Sequence, residues 1–118
     1  MKFMVSLITD GSPIQQATPE QREELGAKMM RLMGELEEAG VLADAGSALA
    51  PSDSAKTLRY GTEGRVVVTD GPFAESKEQM AGYMVLECAD LDEAVSWVKR
   101  LPFSGGAVEV RPLAERDA

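Results

Sequence analysis

Residues 70–82, with the sequence DGPFAESKEQMAG, interrupt a chain that is strand-like on both sides. The β-branched run VVVT at 66–69 precedes them, and the apolar run YMVL at 83–86 follows them. Asp, Gly and Pro in succession are typical of a tight turn, because Pro fixes φ and Gly tolerates conformations that other residues avoid. We therefore expect a strand that ends at a rigid turn, a polar loop, and a second strand that resumes near residue 80.

The rest of the chain extends this pattern into two βαβ units. Thr18 and Gln21, like Asp90 and Glu93, have the spacing of a capping box, which marks a helix start. Apolar residues then recur at helical spacing, at Leu25, Met29, Leu32, Met33 and Leu36 and at Leu91, Ala94, Val95, Val98 and Leu101. The predicted elements are a strand at 2–9, a loop at 10–17, a helix from 18 to 40, a strand at 41–50, hairpin strands at 57–60 and 65–69, a strand at 80–88, a helix from 90 to 102 and a strand at 107–111.

This order predicts an α+β sandwich of the ferredoxin-like kind, βαβ…βαβ with an inserted β-hairpin, in which two helices cover one face of a mainly antiparallel sheet. The strand at 80–88 is apolar on both faces, with Met80, Gly82, Met84, Leu86 and Cys88 on one and Ala81, Tyr83, Val85 and Glu87 on the other. The face away from the helices needs a cover, so we expect a homodimer whose sheets pack face to face. We expect a single domain at 1–113 and a polar tail at 114–118.

Composition limits the class of protein. The net charge is −8 and no cluster of Lys and Arg is visible, so binding to nucleic acid or to an anionic membrane surface is disfavoured. The N-terminal apolar run stops at Asp10 without a cleavage-type segment, and no stretch approaches the ~20 apolar residues of a membrane span. The single cysteine, Cys88, rules out an intramolecular disulfide and suits a reducing compartment. We expect a cytoplasmic protein.

Cofactor and metal chemistry lack their usual ligands in this sequence. The chain has no histidine, one cysteine and no glycine-rich phosphate-binding motif. Ordinary zinc, haem-His and Cys–His or Ser–His sites need those residues. We therefore expect no metal and no cofactor, and we treat Cys88 as a core residue because no histidine could activate its thiol.

The stretch at 70–82 resembles the signature of the DGPF branch of the YCII-related family, and the similarity extends along nearly the whole chain. It is carried by the strand at 1–8, EAGVL at 38–42, DGPF at 70–73, GY at 82–83, ECADLDEA at 87–94 and GGAVEVRP at 105–112. The resemblance implies a dimeric α/β barrel, a fold shared with small lyases, isomerases and monooxygenases. It also implies a regulatory context, because members of this branch are often encoded beside alternative sigma factors.

One departure from the family pattern bears on chemistry. The better-studied YCII-type members carry a His on the first helix and an Asp just before a Pro after the second helix, their proposed acid/base pair. This chain has no histidine, and alignment on Trp97 and Pro102 places Leu101 where that Asp would be. The acid/base pair therefore cannot be transferred to this sequence.

The remaining candidate site residues lie in and around the signature. Asp70 and Glu78 are the candidates for a general base, although an Asp before Gly-Pro also serves simply to hold a turn. Lys77 and Arg111 could hold an anionic ligand. The full set of candidate ligand-binding residues is Asp70, Phe73, Lys77, Glu78, Tyr83 and Arg111.

These features favour a homodimer that binds a small anionic ligand or a regulatory protein partner without catalysis. The alternative is a cofactor-free enzyme of the lyase or isomerase type, in which Asp70 or Glu78 moves a proton on a small acidic metabolite held by Lys77 or Arg111. A purely structural interaction module is the third possibility, and it would show an apolar patch instead of a polar pocket.

Overall fold

A computed structural model describes residues 1–115 of the chain. The last three residues of the predicted tail at 114–118 lie outside the described residues. The elements in order are β1 (Lys2–Thr9), α1 (Ser12–Gln16), α2 (Pro19–Glu38), β2 (Leu42–Ala48), a 3-10 turn (Ser52–Ser54), β3 (Lys56–Tyr60), β4 (Val66–Asp70), β5 (Gln79–Glu87), α3 (Leu91–Val98) and β6 (Ala107–Pro112).

Four strands form one antiparallel sheet in the order β2-β5-β1-β6, and β3 and β4 form a separate antiparallel hairpin. Helices α2 and α3 both contribute to the core on one face of the four-stranded sheet. This arrangement confirms the predicted α+β class, and its strand order is consistent with a ferredoxin-like fold. The inserted hairpin is also confirmed.

The core lies between the two helices and one face of the sheet. Phe3 and Val5 of β1 pair with Leu86 and Met84 of β5, so that all four side chains share the helix-facing side. The buried apolar side chains among the described residues are Phe3, Val5, Leu32, Leu36, Val41, Met84, Leu86, Cys88 and Ala94. This is a small core for a chain of 118 residues, so shortening Leu36 to Ala would cost about 2–5 kcal/mol of stability.

The boundaries of α2 follow directly from its sequence. The Thr18 hydroxyl accepts from the Gln21 amide at 3.1 Å, and the Gln21 side chain accepts from the Thr18 amide at 2.9 Å, which confirms the capping box. Gly40 follows the helix with a φ of 74°, the left-handed conformation expected of a glycine at this position.

The predicted loop at 10–17 is wrong in part, because residues 12–16 form the short helix α1. The Asp10 carboxylate accepts from the Ser12 amide at 2.9 Å and from its hydroxyl at 2.6 Å. Pro13 lies in the first turn, where its missing amide hydrogen has no cost. A five-residue helix carries too weak a periodic signal to be recognised from sequence. Helix α3 also differs from the prediction. It ends at Val98, and Leu91, a member of the predicted apolar stripe, is exposed.

The opposite face of the four-stranded sheet, here called the open face, has no helix over it in the described part of the chain. Its apolar residues are Met4, Ile8, Met80, Tyr83 and Val85. The pairing of β1 with β5 slips by one residue between Leu7 and Ile8, so that Met80 lies opposite Ile8. Because directly paired residues share a face, this bulge moves Met80 to the open face. The prediction that Met80 shares a face with Met84 and Leu86 is therefore wrong, since strict alternation assumes that no bulge is present.

Candidate functional site

Two adjoining cavities between α2 and the rest of the protein form a recess, here called the cleft. The outer cavity, of about 770 Å³, opens between α1, α2 and the loop at 102–105. The inner cavity, of about 290 Å³, lies between α2 and the sheet. Leu7, Met29 and Phe103 border both, so the two are continuous. A recess of this size can hold a small molecule.

The inner cavity is almost entirely apolar. Among the residues that border it are Met33, Leu101, Phe103 and Val108, and the described residues contribute no carboxylate to it. Leu101, the position at which the sequence analysis expected no acid/base Asp, presents an alkyl side chain to this cavity. The inner cavity therefore suits the apolar body of a ligand.

The outer cavity is mainly apolar but has more polar groups than the inner one, and the charged residues that border it have a net charge of +1. Thr9, Gln21, Arg22 and Lys28 border it, and the only carboxylate that borders it among the described residues is Glu24. Glu24 pairs with Lys28 at 3.4 Å, and both side chains are more than half exposed, so this pair is weak. The Arg22 Nε donates to the carbonyl of Ile14 at 3.3 Å, which ties α2 to α1. A guanidinium has four further N–H donors, so Arg22 can also hold an anion at the mouth of the cleft.

Asp70 lies away from the cleft, at the end of β4. Its carboxylate accepts from the Lys56 Nζ at 2.6 Å, and its side chain is 87% exposed. Gly71 follows with a φ of 95°, and the Gly71–Pro72 bond is trans. Asp70 therefore forms a solvated ion pair across the β3–β4 hairpin, which is neither a buried base nor a carboxylate enclosed by turn amides.

Phe73 packs against the same hairpin. The Arg59 guanidinium stacks over the Phe73 ring at 5.0 Å, and its Nη2 donates to the Phe73 carbonyl at 3.2 Å. The ring is nevertheless 73% exposed. Phe73 thus anchors the signature loop to β3 and leaves much of its surface in solvent.

Lys77 and Glu78 are both exposed in the loop before β5. The Glu78 amide donates to the Ser76 hydroxyl at 3.3 Å. Hydrogen bonds from the Ser12 hydroxyl and amide lower the pKa of Asp10, and the charge of Lys77 makes a smaller contribution in the same direction. The charge of Lys77 therefore acts on Asp10, beside the start of α1.

Tyr83 and Arg111 lie on the four-stranded sheet. Arg111 pairs with Met4 in the register and forms an ion pair with Glu109 at 2.7 Å. Tyr83 pairs with Ser6, which places its side chain on the open face, and residue 83 also borders the inner cavity. The structure thus distributes the six candidate residues over the hairpin base, an exposed loop and the open face.

The sequence analysis missed the residues of the cleft. Met29 and Met33 were interpreted as core or interface packing, and nothing in the sequence pointed to Phe103 or Arg22. The one usable signal was the methionine-rich stripe of α2, because flexible Met side chains are common where packing is incomplete.

No helix within residues 1–115 is long and apolar enough to cross a bilayer. Those residues also contain no group of three acidic, His or Cys side chains that could hold a metal ion.

Comparison with known proteins gives a consistent picture. The YCII-related domain matches residues 1–116. An uncharacterized protein of Rhizobium meliloti (strain 1021) is 37% identical over 117 residues, which is 97% of this chain and 93% of that protein. The similarity therefore extends over the helices, both βαβ units and the hairpin.

Proposed function

This chain belongs to the YCII-related family, and from that premise we propose that it is a homodimeric protein that binds a small amphipathic anion without transforming it. The observation that carries the proposal is the cleft, which joins an apolar inner cavity to a mouth bordered by Arg22. A regulatory protein partner could then distinguish the dimer with bound ligand from the dimer without it. Such a partner would fit the regulatory context that the family resemblance implies.

The proposed ligand follows from the two parts of the cleft. An aromatic or short alkyl body would enter the inner cavity beside Met33 and Leu101, where burial of apolar surface stabilises the complex by about 25 cal/mol per Å². A carboxylate or sulfonate group would remain near Arg22 at the mouth. Because Lys28 is already paired with Glu24, Arg22 is the better candidate for the contact to the anion.

The homodimer is supported by the surface of the single chain. The accessible surface is 8746 Å², whereas a compact chain of this mass exposes ~6,200 Å². The excess of ~2,500 Å² is larger than the ~800 Å² that each partner buries in a standard interface. The open face, with Met4, Tyr83 and Val85 at its centre, is the region that a second copy would cover, and two sheets packed there would form the dimeric α/β barrel that the family resemblance implies.

The surroundings of the two carboxylates support binding over catalysis. Asp70 is solvent-exposed and paired with Lys56, and Glu78 is exposed in its loop. A general base usually needs a shielded site with its pKa raised towards neutrality, and a position within hydrogen-bond reach of its substrate. A cofactor-free enzyme would need both groups moved into the cleft, so it is the weaker proposal.

A fluorescent anion tests the cleft directly. 1-Anilinonaphthalene-8-sulfonate joins an aromatic body to a sulfonate, and we expect it to bind the native protein with one site per chain. Arg22→Gln removes the charge at the mouth and should weaken binding by about 5-fold or more, as expected for the loss of a charge-assisted contact. The matched control is Arg31→Gln, which makes the same change on the exposed surface of α2 and should leave the affinity unchanged.

A second variant tests the inner cavity. Met33→Gln keeps the length of the side chain but adds a polar amide to the apolar lining, so it should also weaken binding of the probe. Equal affinities for wild type and for both the Arg22 and the Met33 variants would show that the cleft is not the site. Native mass spectrometry of freshly purified protein should in addition give a species at twice the chain mass. A species at the single chain mass alone would refute the proposed homodimer.

A further inference from the structure

The β3–β4 hairpin stands apart from the body of the protein. Of its ten strand residues, all but Thr57 are exposed. The radius of gyration is 16.7 Å, whereas a compact chain of this length has ~13–14 Å. An isolated two-stranded hairpin is at best marginally stable in water. The hairpin therefore needs a second surface to pack against.

The two faces of the hairpin differ. Leu58 pairs with Val68, and Tyr60 pairs with Val66, so that these four side chains form one continuous apolar surface, here called the arm face. All four residues are exposed in the single chain. The arm face is therefore a cross-strand apolar cluster with nothing from the described residues over it.

The signature loop packs against the other face. Arg59 pairs with Val67 on that face and stacks over the Phe73 ring. The Thr57 hydroxyl donates to the Gly71 carbonyl at 2.8 Å. This face is thus partly covered by the chain itself, which leaves the arm face as the one that requires a partner.

The remaining contacts of the signature fix the base of the hairpin. The Lys56–Asp70 ion pair closes the two strand ends, and the Gly71 amide donates to the Ala55 carbonyl at 2.7 Å. Gly71 has a positive φ that few other residues tolerate. The DGPF signature thus closes the base of the hairpin, while the side chains of the arm face stay exposed.

We propose that the hairpin is a dimerisation arm whose arm face packs against the border of the open face of a second copy of this chain, beside the sheet-to-sheet contact, an inference that rests on the proposed homodimer. Three basic and two acidic side chains give residues 56–70 a net charge of +1, which leaves −9 for the rest of the chain. The apolar centre of the open face is bordered by acidic Asp44, Glu87 and Glu109 and by basic Lys2 and Arg111, so this border has a net charge of −1. An apolar arm with a positive charge therefore matches an apolar surface with a negative border.

Two neighbouring valines of β4 provide a matched pair of variants. Val68 lies on the arm face and is 56% exposed, and Val67 lies on the other face and is 57% exposed. Val68→Glu would place a carboxylate in the proposed interface and should raise the dimer dissociation constant at least tenfold. Val67→Glu adds the same charge to the same strand and should change that constant by less than threefold. Sedimentation equilibrium at several protein concentrations measures both constants, and circular dichroism checks that both variants are folded.

The outcomes separate this inference from the proposed function. A weaker dimer for Val68→Glu with a nearly unchanged one for Val67→Glu supports the arm. If wild type is dimeric and Val68→Glu dimerises equally well, the arm is refuted while the homodimer stands. If both variants weaken the dimer equally, the assignment of the arm face is refuted. A wild type that is monomeric at micromolar concentration overturns the homodimer and the arm together. Tyr60→Ala, a milder change on the same face, should act in the same direction as Val68→Glu.

Discussion

Gly46 offers a sharp test of how the edge strand β2 meets β5. It has a φ of 65°, and its amide donates to the Asp44 side chain at 2.7 Å within an irregular part of the strand. A Cβ built on Gly46 would overlap the carbonyl oxygen of Tyr83 and would lie 2.6 Å from its carbonyl carbon. Both atoms belong to the backbone of β5, so no side-chain rotation can relieve the overlap.

The cost of Gly46→Ala can be worked out in two parts. Placing Ala in the left-handed region costs ~1–2 kcal/mol. Relieving the overlap requires β2 to move away from β5, which loses one or two backbone hydrogen bonds of ~1 kcal/mol each. The sum is about 3 kcal/mol. Because the entropy of unfolding is ~2.1 cal/mol/K per residue, a chain of this length changes its Tm by ~4 °C per kcal/mol, so we expect a decrease of about 12 °C.

The assay is a thermal melt followed by circular dichroism at a fixed protein concentration, since a dimer makes the Tm concentration-dependent. The matched control is Gly34→Ala, the same substitution in the interior of α2. A Cβ on Gly34 meets nothing within 4 Å, so Ala should stabilise the helix by ~0.5–1 kcal/mol and raise the Tm by a few degrees. The two variants should therefore move in opposite directions.

A Gly46→Ala variant that melts at or above the wild-type temperature would refute the close approach of β2 and β5. The same conclusion would follow if Gly34→Ala and Gly46→Ala shifted the Tm equally. A decrease of only ~1 kcal/mol in the free energy of unfolding would match the cost of the left-handed conformation alone. It would mean that β2 can move away from β5 at little further cost.

Three further predictions concern a helix cap, the thiol and one carboxylate. Thr18→Ala should lower the Tm by about 4 °C, because it removes the hydroxyl that accepts from the Gln21 amide and such caps contribute ~1 kcal/mol; an unchanged Tm would contradict the capping box. Burial raises the pKa of the Cys88 thiol, so its reaction with a disulfide reagent at pH 8 should be at least tenfold slower in the native protein than in urea, and equal rates would contradict its burial. Hydrogen bonds from Ser12 lower the pKa of Asp10 from its ordinary value of 3.8, so this contribution to stability is present above pH 3.8 and is lost as the pH falls through the lower folded-state pKa. The Tm difference between wild type and Ser12→Ala should therefore shrink between pH 7 and pH 3, and a constant difference would contradict the Ser12–Asp10 contact.

The fold was largely predictable from the sequence because its signals are local. Capping residues and apolar stripes defined α2 and α3, and turn residues separated the strands. The misses have longer-range causes. Helix α1 is too short to be stable without tertiary contacts such as the hydrogen bond from Arg22 to the Ile14 carbonyl. The bulge that turns Met80 to the open face depends on pairing with Ile8, 72 residues earlier.

The candidate site was much less predictable, because it depends on how the elements pack together and not on a sequence pattern. The cleft exists where α2 and the loop at 102–105 leave the sheet uncovered, and no periodicity encodes such a gap. The pairing of Asp70 with Lys56, in contrast, could have been predicted from the sequence. Once Tyr60 pairs with Val66, counting outward along the hairpin brings Lys56 opposite Asp70, so the ion pair follows from the register alone.

The sheet order has a consequence for biosynthesis. Strand β1 is central in the sheet and is made first, yet its partners β5 and β6 begin at Gln79 and Ala107. At ~5–20 residues per second, about 4–14 s pass on the ribosome between the completion of β1 and the start of β5. The apolar strand at 2–9 waits unpaired during that time, and such long-range pairing also slows folding itself. Nascent β1 is therefore without its partner β5 for longer than β2, which pairs with the same strand.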